Sequence, residues 1–227
     1  MKTIAILLAS GSGSRFGAEL PKQYVKVSGK MILEYTLDIF NSCEKIDEIV
    51  IVNNPKYSKK IEDLLYKGTY GKVKHVLDGG DSRFMSSQIG LQVCDDNSKV
   101  LFHDAVRPLI SEKIILDCIL ALDKYQVANT VLPCNDTIIE INNNKISNIP
   151  DRNQLFKVQT PQGFRASVLK QAYLLSQEDS DYFPTDDCSV IYKYMPEIDI
   201  EFVHGDAKNI KITHQDDIAF FESNIKL

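Results

Sequence analysis

The sequence predicts an α/β fold with a mainly parallel central sheet and a protruding β-hairpin. Short continuous apolar runs alternate with amphipathic stretches, as is typical of buried parallel strands joined by helical crossovers. Three of the predicted strands end in polar loops that carry Gly or Asp, and such sheets bind ligands beyond the carboxyl ends of their strands. Two short extended runs around residues 142–144 interrupt the alternation and predict the hairpin.

Each element follows from its own local pattern. The continuous apolar run at residues 4–8 predicts a buried parallel strand, and further strands are predicted at residues 48–52, 73–77, 100–102, 128–132 and 198–203. Apolar residues at helical spacing predict helices at residues 31–41, 56–66, 114–125, 167–175 and 215–225, and helices that end at residues 91 and 194. Shorter elements are predicted at residues 24–31 around a turn, at 136–141 and 145–149 as the hairpin, and at 209–212 as an extended segment.

The composition is that of a soluble globular protein. Of the 227 residues, 44% are hydrophobic and 25% are charged, and the net charge of −5 disfavours nucleic acid as a partner. No apolar run approaches the roughly 20 residues needed to span a bilayer. The first strand also begins too early for a signal peptide, so we expect a cytoplasmic protein. The five scattered cysteines and four unclustered histidines indicate neither a disulfide frame nor a zinc site.

The loop after the first strand, at residues 9–23, is rich in Gly and Ser. Small residues such as Gly11 and Gly13 let the backbone approach a polyanion closely, and free N–H groups form a nest for phosphate oxygens. Arg15 and Lys22 add two cations beside that nest. The loop is therefore predicted to hold a nucleoside triphosphate.

Two other glycine loops fit this stretch poorly. A dinucleotide-binding loop needs a third glycine where Phe16 stands, and an acidic residue after the second strand, where Asn53 and Asn54 follow instead. A P-loop needs a Gly-Lys pair followed by Ser or Thr, which the sequence lacks. An ordinary strand-to-helix turn with two surface cations stays open as an alternative.

Three further positions are candidates for binding chemistry. Asp104 follows a buried strand directly, where a carboxylate can hold Mg²⁺ against triphosphate oxygens or can cap the next turn. Residues 79–83 and Ser86 can present polar groups to the edge of a base, or can simply start a helix. Lys211 lies between two apolar neighbours in a predicted extended segment, so its side chain faces either a cleft or solvent.

Six motifs, in this order along essentially the entire chain, resemble the methylerythritol-phosphate / ribitol-phosphate cytidylyltransferase family. They lie at residues 10–15 with 20–23, 79–83, 103–108, 159–162, 185–187 and 209–213. The resemblance implies a single Rossmann-like nucleotidyltransferase domain over residues 1–227, with a hairpin arm inserted at about residues 134–160. It also implies a homodimer in which the arms embrace, and CMP transfer from CTP to an alditol phosphate with release of pyrophosphate. From the residues alone, a hairpin folded back on its own domain stays open.

The resemblance also implies roles for individual residues. The cations that hold the triphosphate and stabilise the pentavalent α-phosphorus are expected to be Arg15, Lys22 and Lys211. Contacts to the nucleotide are expected from Ala9, Ser10, Gly11, Gly13, Gly80, Asp81 and Ser86, and Mg²⁺ is expected near Asp104. Contacts to the acceptor, some of them across the dimer, are expected from Thr137, Arg152, Thr160 and Thr185.

Different motifs favour different acceptor substrates. Methylerythritol-phosphate enzymes tend to carry Trp, and ribitol-phosphate enzymes Tyr, where this chain has Phe156. Residues 86–91 and 185–188 are similar to the isoprenoid branch, whereas residues 16–21 and 187–194 are more similar to polyol-type relatives. We therefore expect D-ribitol 5-phosphate, with 2-C-methyl-D-erythritol 4-phosphate as the alternative.

Proteins of two other classes are also considered. A nicotinamide-dependent oxidoreductase is disfavoured by the glycine spacing described above. A non-catalytic nucleotide-binding protein would bind CTP without releasing pyrophosphate. Arg15, Lys22, Asp104 and Lys211 together favour the enzyme, because a protein that only binds a nucleotide has little use for so many converging charges.

Overall fold

A mixed sheet of seven strands runs through the computed structural model, which describes residues 1–13, 16–17, 20–179 and 181–225. The strands, including two short hairpins outside that sheet, are β1 (Lys2–Ala9), β2 (Lys26–Val27), β3 (Lys30–Met31), β4 (Glu48–Asn53), β5 (Val73–Asp78), β6 (Ser98–Asp104), β7 (Val127–Pro133), β8 (Glu140–Asn142), β9 (Lys145–Asn148), β10 (Phe156–Arg165) and β11 (Ile200–His204). The helices are α1 (Ile32–Ser42), α2 (Ser58–Lys67), α3 (Arg83–Gln92), α4 (Glu112–Lys124), α5 (Ala166–Ser176), α6 (Asp187–Tyr194) and α7 (Asp216–Ile225).

The order of strands in the large sheet is β11-β7-β10-β6-β1-β4-β5. Strand β1 pairs in parallel with β4 and β6, β5 with β4, and β11 with β7, whereas β10 runs antiparallel to both of its neighbours. The predicted α/β fold with a mainly parallel sheet is therefore confirmed.

Helices cover both faces of the sheet because the strands bury alternate residues on opposite sides. Along β1, Leu7 packs into a core shared with α1, α2 and α4, while Ile6 packs into a second core shared with α3, α5 and α6. A third, smaller core joins Phe221 of α7 to Phe16 and Ile212. The carboxyl ends of the parallel strands stay uncovered by these layers, and the cavity described below opens there.

Strand β10 is absent from the prediction. Its sequence carries two glutamines and Pro161, and a proline argues against a central strand because it cannot donate to the ladder. The structure places Pro161 inside the register shift between Val158 and Gln162, where the ladder is interrupted. The Gln162 amide donates to the side chain of Asn129 over 3.0 Å, so its polarity is satisfied within the sheet.

The segment predicted to be extended at residues 209–212 belongs to no strand or helix in the structure. Two hydrogen bonds to the loop after β6 hold it instead. Arg107 Nη1 donates to the Asn209 carbonyl over 2.9 Å, and the Ile212 amide donates to the Val106 carbonyl over 2.9 Å. These contacts fix the segment that carries Lys211.

The predicted hairpin forms as β8 and β9, although its first strand begins at Glu140 rather than at residue 136. Asn143 and Asn144 turn the chain with φ values of 50° and 59°, as a type I′ turn requires. The facing pair Ile141 and Ile146 is 64% and 61% exposed. The hairpin thus presents apolar surface away from its own cores, while its role in dimerisation stays a prediction.

The cysteines and the helices have the following properties in the structure. All five cysteines are buried, and none of them forms a disulfide. In the described part of the chain, none of the helices has the length and apolar character that crossing a bilayer requires.

Candidate active site

A cavity of about 520 Å³ opens at the carboxyl edge of the sheet, where the loops after β1, β5 and β6 meet the segment before α7. This is the edge at which the loop pattern predicted a shared site. Of the residues expected at the site, the cavity wall includes Ala9, Ser10, Gly11, Gly13, Lys22, Gly80, Asp81, Asp104 and Lys211. Positions more than 200 residues apart in sequence thus come together.

The loop after β1 is fixed from beneath by Gln23. This side chain is 2% exposed, and its amide donates to the carbonyls of Ala9 over 2.6 Å and Gly11 over 2.8 Å. Gly13 adopts a φ of +72°, a left-handed conformation that favours glycine. The loop is therefore held in one shape along the cavity wall.

Of the two cations expected on this loop, Lys22 is among the described residues and Arg15 is not. Lys22 begins a short 3₁₀-helix, Lys22–Tyr24, and lines the cavity. Arg15 lies outside the described residues, so its expected contact with the triphosphate stays a prediction.

The wall formed by the loop after β5 packs tightly against the loop after β1. A Cβ on Gly79 would lie 2.3 Å from the Cβ of Ser10, so only glycine permits this approach. Ser86 is buried, and its hydroxyl donates to the Ser82 carbonyl over 2.9 Å. Because that bond uses the hydrogen of Ser86, the Ser10 hydroxyl is the donor in the 2.8 Å contact between the two serines. Gly80 and Asp81 line the cavity beside them.

Asp104 is the centre of the charged wall. Its Oδ2 lies 3.1 Å from Lys211 Nζ and 3.2 Å from Arg107 Nε, and its Oδ1 lies 3.7 Å from Arg83 Nε. Burial alone would raise the pKa of this carboxyl, but Lys211, Arg83 and Arg107 outweigh burial and hold that pKa well below its usual range. Lys211 therefore faces the cleft, which decides between the two orientations left open by the sequence.

The backbone of Asp104 is held by a second, uncharged set of contacts. Its amide donates to Thr160 Oγ1 over 3.1 Å, and Thr160 Oγ1 lies 3.0 Å from His103 Nδ1. His103 Nε2 must carry the ring proton, because its partner at 3.2 Å is the Arg107 carbonyl. The Thr160 hydroxyl therefore donates to Nδ1, and burial lowers the pKa of His103 to about 4. The imidazole is neutral at pH 7.

None of the four residues expected to contact the acceptor lines the cavity in the described part of the chain. Thr137, Arg152 and Thr185 are exposed. Arg152 donates only to the Asn135 carbonyl, over 3.5 Å. Thr160 is buried, and its hydroxyl is engaged by His103 and by the Asp104 backbone. The acceptor contacts of these four residues stay predictions.

Three residues that shape the site lie in motifs of the resemblance, but the sequence assigned them no individual role. Arg83 lines the cavity and contacts Asp104, and the polar loop directly before it was the available signal. Gln23 holds two carbonyls of the loop after β1, and Asp187 pairs with Arg83 from a distant helix. The pairing of Asp187 could not be predicted locally, because its partner lies 104 residues away.

The arrangement suits a polyanionic ligand. Three cations surround one carboxylate on the cavity wall, and Lys22 of the glycine-rich loop lines the same cavity. Among the described residues, no group of three or more His, Cys, Asp or Glu side chains could enclose a metal ion. A lone carboxylate suits Mg²⁺ whose other ligands are phosphate oxygens and water.

Comparison with known proteins gives consistent matches along the chain. The family model for 2-C-methyl-D-erythritol 4-phosphate cytidylyltransferase (IspD) matches residues 3–226. A protein of that name from Thermobifida fusca is 36% identical over 233 residues, which cover 99% of this chain and 94% of that protein. The bifunctional ribulose 5-phosphate reductase/CDP-ribitol pyrophosphorylase Bcs1 from Haemophilus influenzae is 40% identical over 222 residues. The match covers 96% of this chain but only 47% of Bcs1.

Solved structures agree with these matches. The crystal structure of 4-diphosphocytidyl-2C-methyl-D-erythritol synthase from Anaerococcus prevotii is similar with a TM-score of 0.88 at 32% identity, over 100% of this chain and 96% of that one. The Francisella tularensis 2-C-methyl-D-erythritol 4-phosphate cytidylyltransferase gives a TM-score of 0.81 at 27% identity, over 100% of both chains. Similarity in sequence and in fold therefore extends over the same residues.

Proposed function

The chain belongs to the 2-C-methyl-D-erythritol 4-phosphate cytidylyltransferase family, and from this premise we propose that it transfers CMP from CTP to 2-C-methyl-D-erythritol 4-phosphate. Its relatives are named as cytidylyltransferases, and the chain is a CTP-dependent nucleotidyltransferase of this kind. The observation that carries the proposal is the cluster of Asp104, Lys211, Arg83 and Arg107 facing the glycine-rich loop across one cavity. That arrangement suits a triphosphate and a developing negative charge.

The acceptor is the finer part of the proposal. The family model and the relatives from Thermobifida fusca and Anaerococcus prevotii carry the methylerythritol name, and they support this acceptor better than the ribitol 5-phosphate preferred from the sequence. D-Ribitol 5-phosphate stays the second candidate because Bcs1, at 40% identity, is named for a CDP-ribitol activity.

The chemistry requires no general base. A phosphate monoester is already an anionic nucleophile near pH 7, so the protein has to align it with the α-phosphorus and neutralise charge. We assign the neutralisation to Lys22 and Lys211, which line the cavity, and to Arg15 as an expectation from the sequence. Loss of one such cation should lower the rate by about 10²–10³-fold.

Asp104 is the residue that would hold Mg²⁺ in this proposal. Its carboxylate is ionised and lies on the cavity wall, which fits a metal shared with the triphosphate. When bound, Mg²⁺ supplies neutralisation of the triphosphate charge. The amide contact with Thr160 and the side-chain contacts with Lys211 and Arg107 hold the carboxylate in place.

We also propose that the chain acts as one domain and forms a homodimer through the hairpin arm. The arm leaves and rejoins the sheet at paired residues, Pro133 of β7 and Phe156 of β10, so it extends a hairpin of the core sheet. Exposed isoleucines along the arm supply apolar surface for a second copy. Some of the acceptor contacts expected from Thr137, Arg152, Thr160 and Thr185 would then be made across the dimer.

Pyrophosphate release with Mg²⁺ and CTP tests the function, with 2-C-methyl-D-erythritol 4-phosphate and D-ribitol 5-phosphate assayed in parallel. We expect release with the methylerythritol acceptor. Release with ribitol 5-phosphate alone would reverse the assignment of the acceptor. If CTP binds but neither acceptor supports release, the proposed acceptors are wrong, and a non-catalytic nucleotide-binding role becomes the better description.

A further inference from the structure

Arg83, at the first residue of α3, connects two carboxylates that come from opposite ends of the fold. Its Nη1 donates to Asp187 Oδ2 over 2.8 Å, and its Nε lies 3.7 Å from Asp104 Oδ1. The side chain is 25% exposed and lines the nucleotide cavity. Burial would lower the pKa of this guanidinium, but Asp187 and Asp104 outweigh burial and raise it, so Arg83 stays charged.

Asp187, in the first turn of α6, is 0% exposed, and every polar group it carries here is engaged. Oδ1 accepts from the Tyr173 hydroxyl over 2.7 Å, and Oδ2 accepts from Ser87 Oγ over 3.3 Å as well as from Arg83. Its amide donates to Gln162 Oε1 over 3.2 Å. These contacts come from α3, α5 and β10, so the carboxylate is fixed from three elements and provides a rigid anchor for Arg83.

Asp104 is thereby held on both of its oxygens. Lys211 and Arg107 contact the carboxylate at Oδ2, whereas Arg83 approaches it at Oδ1. Removal of Arg83 takes away the contact on the Oδ1 side and leaves the carboxylate held by Lys211 and Arg107 alone. A ligand that must sit at a fixed angle to the carboxylate would then bind less well.

We infer that Arg83 and Asp187 are positioning residues for the reaction: Asp187 fixes the guanidinium of Arg83, and Arg83 fixes the Asp104 carboxylate toward the metal-bound triphosphate. The inference rests on the proposed function, which assigns Asp104 to the metal. An arginine is needed at position 83 because one planar fork reaches both carboxylates, whereas a lysine offers a single ammonium group. If the ion pair between Arg83 and Asp187 served only stability, its removal would lower the melting temperature and leave the kinetics and the metal affinity unchanged.

The test compares Arg83→Lys, Asp187→Asn and the double variant with the wild-type protein. Two quantities are measured: kcat and KM for CTP in pyrophosphate release, and the affinity for Mn²⁺ with CTP from the enhancement of water proton relaxation. We expect each single variant to lose about 10–100-fold in kcat and in Mn²⁺ affinity, as for other groups that support a metal ligand. KM for CTP should change by less than about three-fold, because the loop after β1 and the base contacts are untouched. The double variant should lose no more than Arg83→Lys alone, since Asp187 acts through Arg83.

Matched controls come from the opposite edge of the sheet. Arg165 pairs in register with Lys99 at the start of β6, and Asp123 forms an ion pair with Lys99 over 2.5 Å, so Arg165→Lys and Asp123→Asn should leave both quantities unchanged. Asp104→Asn is the reference for the metal. If Asp104→Asn binds Mn²⁺ with CTP as tightly as the wild type does, the proposed metal role of Asp104 is wrong, and the inference about Arg83 and Asp187 is wrong as well.

Two other outcomes overturn the inference while the proposed function stands. In the first, Mn²⁺ binding depends on Asp104 but is unchanged in Arg83→Lys. In the second, the losses in kcat of the two single variants multiply in the double variant. Circular dichroism identifies variants that do not fold. If Asp187→Asn does not fold, Arg83→Lys alone decides between the outcomes, because the side chain of Arg83 is partly exposed. Its Mn²⁺ affinity and its separate effects on kcat and KM are then compared with those of the wild type.

Discussion

At the scale of single residues, positive charges outnumber negative ones around Asp104. Asp104 brings one negative charge, and Lys211, Arg107 and Arg83 bring three positive charges within 4 Å of its oxygens. The ionised carboxylate therefore leaves the wall positive overall. A positive wall beside a cavity attracts a polyphosphate and stabilises charge that develops on it.

Lys211→Gln should lower kcat for pyrophosphate release by about 10²–10³-fold, because one electrostatic stabiliser of the transition state is lost. Lys211→Arg keeps the charge and should retain more of the rate. Steady-state kinetics at saturating acceptor measures both variants. Lys208 is exposed in the same segment, so Lys208→Gln serves as the control. A Lys211→Gln enzyme as active as this control would remove Lys211 from the mechanism.

His103 should make the protein less stable in mild acid. Burial lowers its pKa from 6.5 to about 4, so the unfolded chain takes up a proton at a higher pH than the folded protein does. Stability from this group is complete above pH 6.5 and is lost as pH falls toward 4, with a total of about 3 kcal/mol. The free energy of unfolding, from urea titrations at several pH values, should therefore fall across this window.

A His103→Gln variant isolates the contribution of this residue. The other three histidines are exposed, and the variant should show a shallower fall in stability between pH 6.5 and 4 than the wild type. Asp104 loses its own contribution only below the usual carboxyl range, because its pKa is held low. Equal pH slopes for the two proteins would mean that His103 titrates normally in the folded state.

At the scale of elements, the loop after β1 owes its shape to one side chain beneath it. Gln23 donates to carbonyls on both sides of Ser10, and the neighbouring Tyr24 hydroxyl bonds to the side chain of Asn53 at the end of β4. Since both contacts are buried or partly buried, water cannot replace them easily. The loop is thus an extension of the sheet rather than an independent turn.

Gln23→Ala should lower the free energy of unfolding by about 1–3 kcal/mol, because buried carbonyls of Ala9 and Gly11 lose their donor. It should also raise KM for CTP, since the loop that lines the cavity loses its shape. Urea denaturation and CTP kinetics measure the two effects. Ser111→Ala removes a helix cap on α4, away from the loop, and should affect stability alone. A similar KM for the two variants would contradict the role of Gln23.

The elements also show what the sequence could and could not predict. The local sequence predicted β1, β4, β5 and β6, and of these β1, β4 and β6 are buried strands rich in apolar residues. Ser10, Gly11 and Lys22 follow such a strand, so their place at the site was predictable from position. Strand β10 and the pairing of Arg83 with Asp187 were not, because polar residues in a core depend on partners far along the chain.

At the scale of the whole molecule, the arm carries several exposed isoleucines that the cores do not use. Ile141 and Ile146 face each other on β8 and β9, with more than half of each side chain exposed. A two-stranded hairpin is marginal alone in water, so its stability is expected to depend on what packs against it. A second copy of the chain is the occupant proposed above.

Ile141→Glu with Ile146→Lys should convert a dimer into a monomer. Opposite charges on directly facing residues support the hairpin itself, while the apolar surface offered to a partner is lost. Light scattering coupled to size exclusion should give the mass of two chains for the wild type and of one for the double variant. Tyr66→Glu on α2, which is as exposed but lies elsewhere, should remain dimeric. A wild-type monomer, or a dimeric arm variant, would refute the proposed interface.

The order of strands has a consequence for the protein while it is being made. The four strands β5-β4-β1-β6 all lie within the first 104 residues and form one contiguous half of the sheet. Within the sheet, the ladder between β6 and β10 joins this half to the later strands. The strands of this half, with the loop after β1 and Asp104, can therefore pair before the later strands are synthesised. Part of the core on one face of this half comes from α5 and α6, and Lys211 follows more than 100 residues after Asp104. The cavity wall is thus complete only when the last part of the chain has joined the earlier half.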